Sequence, residues 1–300
     1  MHAQKQVVMA DLSLLGIAIG WGYTFILTKD LLSEMTPLFF TGSRFLLAGL
    51  ILAAWQYRKW KTLSKQDWKA GIIAGVFLCL AYTLQIFGID RTTPGKAGMI
   101  TGLSVVMVPF LYYLWARSPL QKGPVVGSIA AFSGLCLLSW DGTWAGMQQG
   151  DLLVLACAVF FAVHVVLVDR IYQSDMPTDP MFFAMVQLIV VGVIDLGLAL
   201  VFEPGPTPLS PYGWFAYGFD LIVGTLLAYV VQLKAQLYTP PTHVSLILSL
   251  EALFAFFFSW LVWGEAMTQQ AVWGAALMLA GILVAEWKPG RQPYEKQEVR

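Results

Sequence analysis

Apolar residues in this chain come in long runs that alternate with short polar joints. Each run is about 20 residues long, enough for an α-helix to cross a bilayer core of about 30 Å. Breaks at polar, proline or glycine clusters predict ten spans, and the short joints between them predict antiparallel helical hairpins. The predicted spans are 11–32, 38–57, 70–90, 96–116, 123–140, 151–171, 181–202, 213–237, 243–263 and 268–287.

The composition leads to the same class of protein. Of the 300 residues 58% are hydrophobic and 12% are charged, and the mean hydropathy is +0.68. A soluble chain of this length could not bury so much apolar surface, so the sequence predicts an all-α polytopic membrane protein in contact with the lipid bilayer. The formal net charge of zero indicates neither an acidic nor a basic partner, and no nucleic acid is expected. No cleavable signal peptide is expected, because the first apolar run is too long for one.

The distribution of Lys and Arg over the loops predicts the orientation. With a cytoplasmic N-terminus, the loops and tail on the cytoplasmic side hold thirteen basic residues and the opposite side holds three. The positive-inside rule therefore predicts a cytoplasmic (inner) membrane protein with both termini in the cytoplasm. Residues 288–300 would form a cytoplasmic tail.

The chain also resembles itself at a shift of 147 residues. "LAYTLQ" at 80–85 then lies on "LAYVVQ" at 227–232, and 14 of 61 positions are identical up to Trp140 on Trp287. Similar offsets pair earlier segments, including Arg44 with Gln187. Each half thus holds five spans, at 11–140 and 151–287. Because five is odd, the halves would enter the membrane from opposite sides, as two inverted repeats of the kind found in secondary transporters.

Two glycine pairs recur at seven-residue spacing in this register, Gly127 with Gly134 and Gly274 with Gly281. Small residues at such spacing let helices approach closely. Spans five and ten are therefore expected to pack together or to form a homodimer interface.

Several short motifs resemble the drug/metabolite transporter superfamily, and within it the EamA-type permeases and exporters. They are "GWGYTF" at 20–25, "SRFLLAG" at 43–49, "LQIFGIDRTTPGKA" at 84–97 and "SLEALFAFFFSWLVWGE" at 249–265. The resemblance implies a ten-helix carrier with spans 1, 3, 4, 6, 8 and 9 around a central cavity. The sequence departs from the family pattern at Val105 and Ala252, where a proline is common, so kinks in spans four and nine do not follow from it.

Polar side chains inside predicted spans are functional candidates, because a bilayer makes them costly. Tyr82 and Gln85 in span three recur as Tyr229 and Gln232 in span eight. The i, i+3 spacing places each pair on one helix face, where a phenol and an amide can bind a polar solute. The alternative is that these groups join helices by hydrogen bonds.

Other candidates lie in spans one and six. Trp21 and Tyr23 belong to span one, and His164 in span six aligns with Thr24. A histidine at this depth can relay protons, or it can be a packing residue with a hydrogen-bond partner. Cys79, Cys136 and Cys157 all lie in apolar runs and are expected to be buried packing residues, so no metal site and no cofactor is predicted.

Three further charges, Arg44, Asp195 and Asp220, lie at similar predicted depth. We expect them to form a structural charge pair or triad, and binding of an anionic substrate group by Arg44 is the alternative.

Glu251 is an isolated carboxylate in the apolar span nine, opposite Ser104 in the repeat. It can pair with Lys234 across the "TPPT" hairpin as a structural lock. Without a partner it would be a proton-coupling or cation-binding group in the cavity. The substrate-binding candidates are accordingly Trp21, Tyr23, Tyr82, Gln85, Ser104, His164, Tyr229, Gln232 and Glu251, with Lys234 as a possible charge partner.

These features predict a secondary transporter of a small organic metabolite, working by alternating access. Few basic residues lie at membrane depth, so a neutral or zwitterionic solute such as an amino acid fits better than a phosphate ester. An amphipathic drug-like compound or an anionic metabolite is the alternative substrate. The competing classes are an intramembrane enzyme, for which the sequence has no GxSxG, HExxH or Walker motif, and a channel.

Overall fold

The computed structural model describes residues 2–62, 64–116, 122–139, 148–172, 179–235 and 247–286. In these ranges the chain forms ten helices, several of them interrupted, and a 3₁₀ turn at Tyr57–Thr62. The first five are α1 (His2–Leu31), α2 (Pro37–Trp55), α3 (Lys65–Asp90), α4 (Pro94–Gly102, resuming at Ser104–Ala116) and α5 (Lys122–Ser139). The next three are α6 (Gln149–Tyr172), α7 (Pro180–Phe202) and α8 (Pro211–Phe219, π-helical over Asp220–Leu227, then Ala228–Ala235). The last two are α9 (Glu251–Phe258, π-helical over Ser259–Trp263) and α10 (Gln269–Glu286).

Seven of the described helices are long and apolar enough to cross a membrane, and three shorter apolar helices lie in α5, α9 and α10. The prediction of an all-helical, multi-pass membrane protein is therefore confirmed, and each predicted span corresponds to one helix. The first helix is longer than the predicted span, because α1 begins at His2, whereas its membrane-length apolar part covers Val8–Leu31, close to the predicted 11–32. Backbone hydrogen bonds extend this helix beyond the apolar run that marks the span.

Local sequence explains where most of these helices begin. Proline occupies the first turn of α2, α4, α7 and α8, where its missing N–H costs no hydrogen bond. The side chains of Thr93, Asp179 and Ser210 accept hydrogen bonds from backbone N–H groups just inside α4, α7 and α8. Ser64 and Asp67 form a capping box at the start of α3.

One end of the bundle is held together by carboxylates, and we call it the acidic end; its members are Asp30, Glu34, Asp151, Glu203 and Glu265. Glu203 accepts hydrogen bonds of 2.9 Å from the first N–H groups of α2, at Leu38 and Phe39. Glu34 accepts hydrogen bonds from the hydroxyl and N–H of Ser210, and these lower the pKa of the Glu34 carboxyl. Glu203 and Glu265 thereby cap the N-termini of α2 and α4, where the positive end of the helix dipole favours a carboxylate.

The contacts at both ends agree with the predicted grouping of the loops. Asp30 accepts hydrogen bonds from Tyr212 and Trp263, so three joints predicted to share one side meet at the acidic end. Lys59 and Asp179, predicted on the other side, form an ion pair of 3.1 Å. These contacts fix which loops lie together, whereas the side that faces the cytoplasm stays a prediction.

Helices α5 and α10 pack through the glycines that recur in the repeat. A Cβ added at Gly134 would lie 2.6 Å from the carbonyl oxygen of Gly274, and one at Gly281 would lie 2.5 Å from that of Gly127. A shift of 147 residues exchanges these two contacts, since it carries 127 to 274 and 134 to 281. The expected close packing of spans five and ten is confirmed within one chain, while a homodimer through them stays a prediction.

Helices α2 and α7 show the same kind of exchange with the other offset. Gly49 lies against Ile189, and Gly192 lies against the backbone of Leu46. A shift of 143 residues carries 46 to 189 and 49 to 192, so each contact becomes the other. Both glycines lie where a Cβ would collide with the facing helix.

Candidate functional site

Two helices are interrupted at positions that correspond in the repeat. In α4 the break is at Leu103, with φ −64° and ψ −17°, and in α9 it is at Leu250, with φ −64° and ψ −14°. The hydrogen bond from Leu103 N–H to Ile100 O corresponds to the one from Leu250 N–H to Ile247 O. Ser104 and Glu251 are therefore the first residues of the half-helices that follow the two breaks.

Above the breaks, α4 and α9 approach closely along a line of small residues, which we call the α4–α9 seam. Gly95, Gly98 and Gly102 of α4 face Ser259, Ala255 and Ala252 of α9 in turn. Glu265 closes the seam at the acidic end, since its carboxylate accepts hydrogen bonds from Thr93 Oγ1 (2.6 Å), from the Gly95 N–H (3.2 Å) and from Ser259 Oγ. Glu251 is twelve residues from Trp263, about 18 Å along a helix.

Glu251 faces the interior at the lower end of the seam. Its carboxylate makes no hydrogen bond or ion pair with any residue that the structure describes, and it is close enough to Tyr82 and Cys157 to interact with them electrostatically. The side chain of Lys234 lies outside the described residues, so the predicted pairing of Lys234 with Glu251 stays a prediction. A carboxylate in this position is available to a cation or a proton.

The repeated tyrosines meet one another. The hydroxyls of Tyr82 on α3 and Tyr229 on α8 lie near one another. The ring of Tyr82 packs edge-on against Phe161, with centroids 5.1 Å apart, and tilted against Phe45 at 4.5 Å. The pair brings two phenol groups from the two halves to one place inside the bundle.

The repeated amides are used differently in the two halves. Gln85 Nε2 donates to Thr101 Oγ1 at 3.3 Å, and Thr101 also interacts with the thiol of Cys157. Gln232 is half-buried on the last turns of α8. Gln85, Thr101, Cys157, Tyr82, Tyr229 and Glu251 thus form one polar cluster between α3, α4, α6, α8 and α9, which we call the central cluster.

Five of the predicted site residues lie outside this cluster: Trp21, Tyr23, Ser104, His164 and Gln232. Trp21 Nε1 donates to the carbonyl of Gly224 at 2.9 Å, which satisfies an acceptor of the π-helical segment of α8. Tyr23 packs edge-on against Phe219 and Phe258 at 5.6 and 5.2 Å. Ser104 is half-buried just below the α4 break.

His164 has a partner of its own. Its Nε2 lies 2.5 Å from Gln187 Oε1, and Gln187 Nε2 donates to the carbonyl of Phe183. A histidine joined to a buried amide in this way is the packing arrangement, so the structure supports that alternative over the proton relay.

The predicted charge pair is formed, without its third member. Arg44 Nη1 lies 3.7 Å from Asp220 Oδ1, and both side chains are buried. Asp195 is instead bound to Thr83 Oγ1 (2.8 Å) and Cys79 Sγ (3.4 Å). Arg44 also lies over the rings of Phe40, Phe45 and Tyr82.

The cysteine prediction was wrong for one of three residues. Cys79 and Cys157 are buried, whereas Cys136 is exposed on α5. The error has a simple cause, because in a membrane helix the lipid-facing side is as apolar as the packed side. Cys157 also takes part in the central cluster, which a packing role does not include.

Sequence reasoning missed Thr101, Cys157 and Thr28 as partners of the polar residues. A hydroxyl inside a predicted span was the available signal for Thr101 and Thr28. It was not decisive, because such hydroxyls commonly bond to their own helix backbone. The π-helical segment of α8 left no signal in the sequence pattern.

The bundle of apolar helices with a polar cluster inside it defines a multi-pass membrane protein. The model of the EamA-like transporter family matches residues 8–140 and again 148–287, so the chain belongs to this family. The family and the names of its relatives indicate transporters rather than enzymes.

Several named relatives match almost the whole chain. An uncharacterised transporter of Archaeoglobus fulgidus is 31% identical over 275 residues, covering 92% of this chain and 85% of the relative. An S-adenosylmethionine/S-adenosylhomocysteine transporter of Chlamydia trachomatis is 27% identical over 290 residues, covering 91% and 88%. A crystal structure with 18% sequence identity has the same fold, with a TM-score of 0.66 over 93% of this chain and 96% of that one.

Proposed function

We propose that this chain is a secondary transporter that moves a small zwitterionic solute of the amino-acid class by alternating access. The observation that carries the proposal is Glu251, a carboxylate at a helix break, inside the bundle and without a described partner. A group held in this way costs free energy unless it binds a cation or a proton during the transport cycle. The tyrosines, Gln85 and Thr101 of the central cluster supply neutral donors and acceptors around it.

The relatives support this substrate class. S-adenosylmethionine and S-adenosylhomocysteine, named for the transporters of Chlamydia, both carry an α-amino-acid group. The described spans offer little positive charge for a phosphate ester, since Arg44 is the buried arginine among them. A zwitterion adds no net charge to the interior, which fits a cluster with one free carboxylate.

The proposal includes an inverted-repeat architecture. It is supported by the two matches to the family model, by the nearly equal backbone angles at Leu103 and Leu250, and by the reciprocal contacts of α5 with α10 and α2 with α7. Contacts that exchange on shifting from one half to the other are those of a two-fold axis. With five helices in each half, that axis lies in the membrane plane.

The α4–α9 seam is the part that alternating access would open. It closes the half of the bundle nearest the acidic end, and the central cluster begins directly below it at Glu251. Moving α4 away from α9 would break the two hydrogen bonds that Glu265 accepts from Thr93 and Gly95, and it would expose the cluster to that side. The cytoplasmic membrane and cytoplasmic termini follow from the loop charges and belong to the same proposal.

Counterflow in proteoliposomes tests the function. Purified protein is reconstituted, loaded with unlabelled solute and supplied with labelled L-methionine, L-phenylalanine, L-threonine or S-adenosylmethionine in turn. We expect saturable counterflow for at least one of the four, whereas none with any of them would contradict the proposed substrate class.

Glu251→Gln tests the role of the carboxylate, because glutamine keeps the shape and removes the charge. We expect normal yield in the membrane and counterflow that is lost or no longer varies with pH. The control is Glu203→Gln, which changes a carboxylate at the acidic end and should leave the pH profile as in the wild type. A Glu251→Gln protein with wild-type rate and pH profile would contradict the role.

A further inference from the structure

The Arg44–Asp220 pair is an incomplete ion pair. The distance from Arg44 Nη1 to Asp220 Oδ1 is 3.7 Å, whereas charged N–H···O hydrogen bonds close to about 2.7–2.9 Å. Within the described part of the chain, Arg44 Nε and Asp220 Oδ1 are both buried and have no hydrogen-bond partner. A pair that served only to join α2 and α8 would be expected to close, because unfilled buried charges are costly.

Neighbouring groups hold both charges in place without filling these positions. The guanidinium carbon of Arg44 lies 4.7 Å from the ring centroid of Phe40 and 4.9 Å from that of Phe45, and stacking fixes its plane without using its N–H donors. Thr28 donates to Asp220 Oδ2 at 2.9 Å and leaves Oδ1 unused. Arg44 Nε and Asp220 Oδ1 are therefore held in place and have no hydrogen-bond partner among the described residues.

A glycine, Gly224, lies beside the Arg44–Asp220 pair. Gly224 belongs to the π-helical segment that begins at Asp220, and a Cβ there would lie 3.2 Å from Asp220 Oδ1 and 3.9 Å from Arg44 Nη1. π-Helical segments inside α-helices are frequent at functional sites. Here the segment brings Gly224 beside the two charges, and the absence of a Cβ leaves room between them and the methyl group of Thr24, from which a Cβ would lie 3.0 Å.

The pair is also connected to the central cluster. The guanidinium carbon of Arg44 lies 5.9 Å from the ring centroid of Tyr82, and Arg44 interacts electrostatically with both Tyr82 and Tyr229. Tyr82 in turn interacts with Glu251. A solute bound in the central cluster would therefore have the Arg44–Asp220 pair at one of its ends and Glu251 near the rest of the molecule.

We infer that Arg44 and Asp220 bind the α-amino-acid head group of the transported solute, Arg44 the carboxylate and Asp220 the ammonium. The charges balance, because a zwitterion inserted between a cation and an anion adds no net charge. The planar guanidinium suits a carboxylate through two parallel hydrogen bonds, and Asp220 Oδ1 accepts one hydrogen bond from the ammonium. The inference rests on the proposed function and specifies the site that would select amino acids.

Competition by analogues tests the two contacts separately. The parent solute is whichever labelled probe gives the largest counterflow in the wild type, and the competitors are that probe, its carboxamide and its des-amino acid. In the wild type we expect both analogues to compete at least tenfold less well than the parent. Arg44→Gln should remove the preference for the parent over its carboxamide. Asp220→Asn should remove the preference for the parent over its des-amino acid.

Two further variants serve as control and as safeguard. Asp195→Asn changes a buried aspartate held by Thr83 and Cys79, and it should keep both preferences. Gly224→Ala keeps every charge and should weaken competition by the parent several-fold, which tests the site even if Arg44→Gln does not fold.

The outcomes separate the two proposals. This inference is overturned if Arg44→Gln and Asp220→Asn keep the wild-type rate of counterflow and the wild-type preferences. It is also overturned if Gly224→Ala binds the parent solute as tightly as the wild type. Either result leaves the proposed function standing. An Asp195→Asn protein that loses both preferences overturns it as well, since the effect would then be general. Absence of wild-type counterflow with all four probes removes the proposed function, and this inference with it.

Discussion

At the scale of single residues, buried polar groups in this protein fall into satisfied and unsatisfied sets. Asp195 Oδ2 has no partner among the described residues, whereas His164 with Gln187, and Asp195 Oδ1 with Thr83 and Cys79, have close partners. Glu251, Arg44 Nε and Asp220 Oδ1 do not, within the part of the chain that is described. In an apolar interior, a polar group without a hydrogen-bond partner costs more free energy than a satisfied hydrogen bond contributes. The groups without partners are therefore the ones that require a functional explanation.

The His164–Gln187 pair can be tested as a structural unit. We expect Gln187→Leu alone to cost about 1–3 kcal/mol of stability, because it leaves the partly buried imidazole without its partner. Replacing both residues by leucine should restore much of the loss. Thermal unfolding of the purified single and double variants gives the comparison, with counterflow measured on each.

A double variant that unfolds as readily as the single one would contradict this structural role. Loss of counterflow in a fully stable double variant would return His164 to the proton-relay interpretation.

At the scale of helices, close approach is decided by small residues on both sides of an interface. The α4–α9 seam, the α5–α10 contact and the α2–α7 contact each place glycine opposite another backbone. In lipid, helices associate through packing rather than through a hydrophobic driving force, so these contacts matter more than apolar character alone.

The seam predicts a difference between two glycines in helices. At Gly98 an added Cβ would collide with Ala255, whereas at Gly197 nothing lies within 4 Å. We expect Gly98→Ala to cost about 1–3 kcal/mol, seen as a lower melting temperature of the purified protein, and Gly197→Ala to be neutral. Equal melting temperatures for the two variants would show that α4 and α9 are not in close contact at Gly98.

At the scale of the whole molecule, the question is which end faces the cytoplasm. The contacts group Asp30, Tyr212 and Trp263 at one end and Lys59 with Asp179 at the other. The positive-inside rule then assigns the acidic end to the outside.

Thiol labelling decides this orientation. We expect a membrane-impermeant maleimide to label Thr207→Cys in intact cells and to label Lys59→Cys only after permeabilisation. The native protein is the control, because it carries Cys79, Cys136 and Cys157 within helices. The reverse pattern would place the acidic end in the cytoplasm.

The sequence by itself determined the membrane class, the ten helices and the register between the halves. Those features depend on the length and composition of apolar runs and on identities such as Leu103 with Leu250, which require no knowledge of contacts. It also singled out Glu251, because a lone charge in an apolar run is visible without a structure.

Only the tertiary structure decided which polar groups meet and which stay without a partner. Arg44 looked structural because Asp220 lies at equal depth, yet the 3.7 Å separation and the unfilled atoms appear only in three dimensions. Cys136 and Cys157 looked alike in the sequence because both lie in apolar runs, although Cys136 is exposed and Cys157 lies in the central cluster. In a membrane helix hydropathy does not separate the lipid face from the packed face, so the direction of a side chain is settled only by the neighbours that surround it.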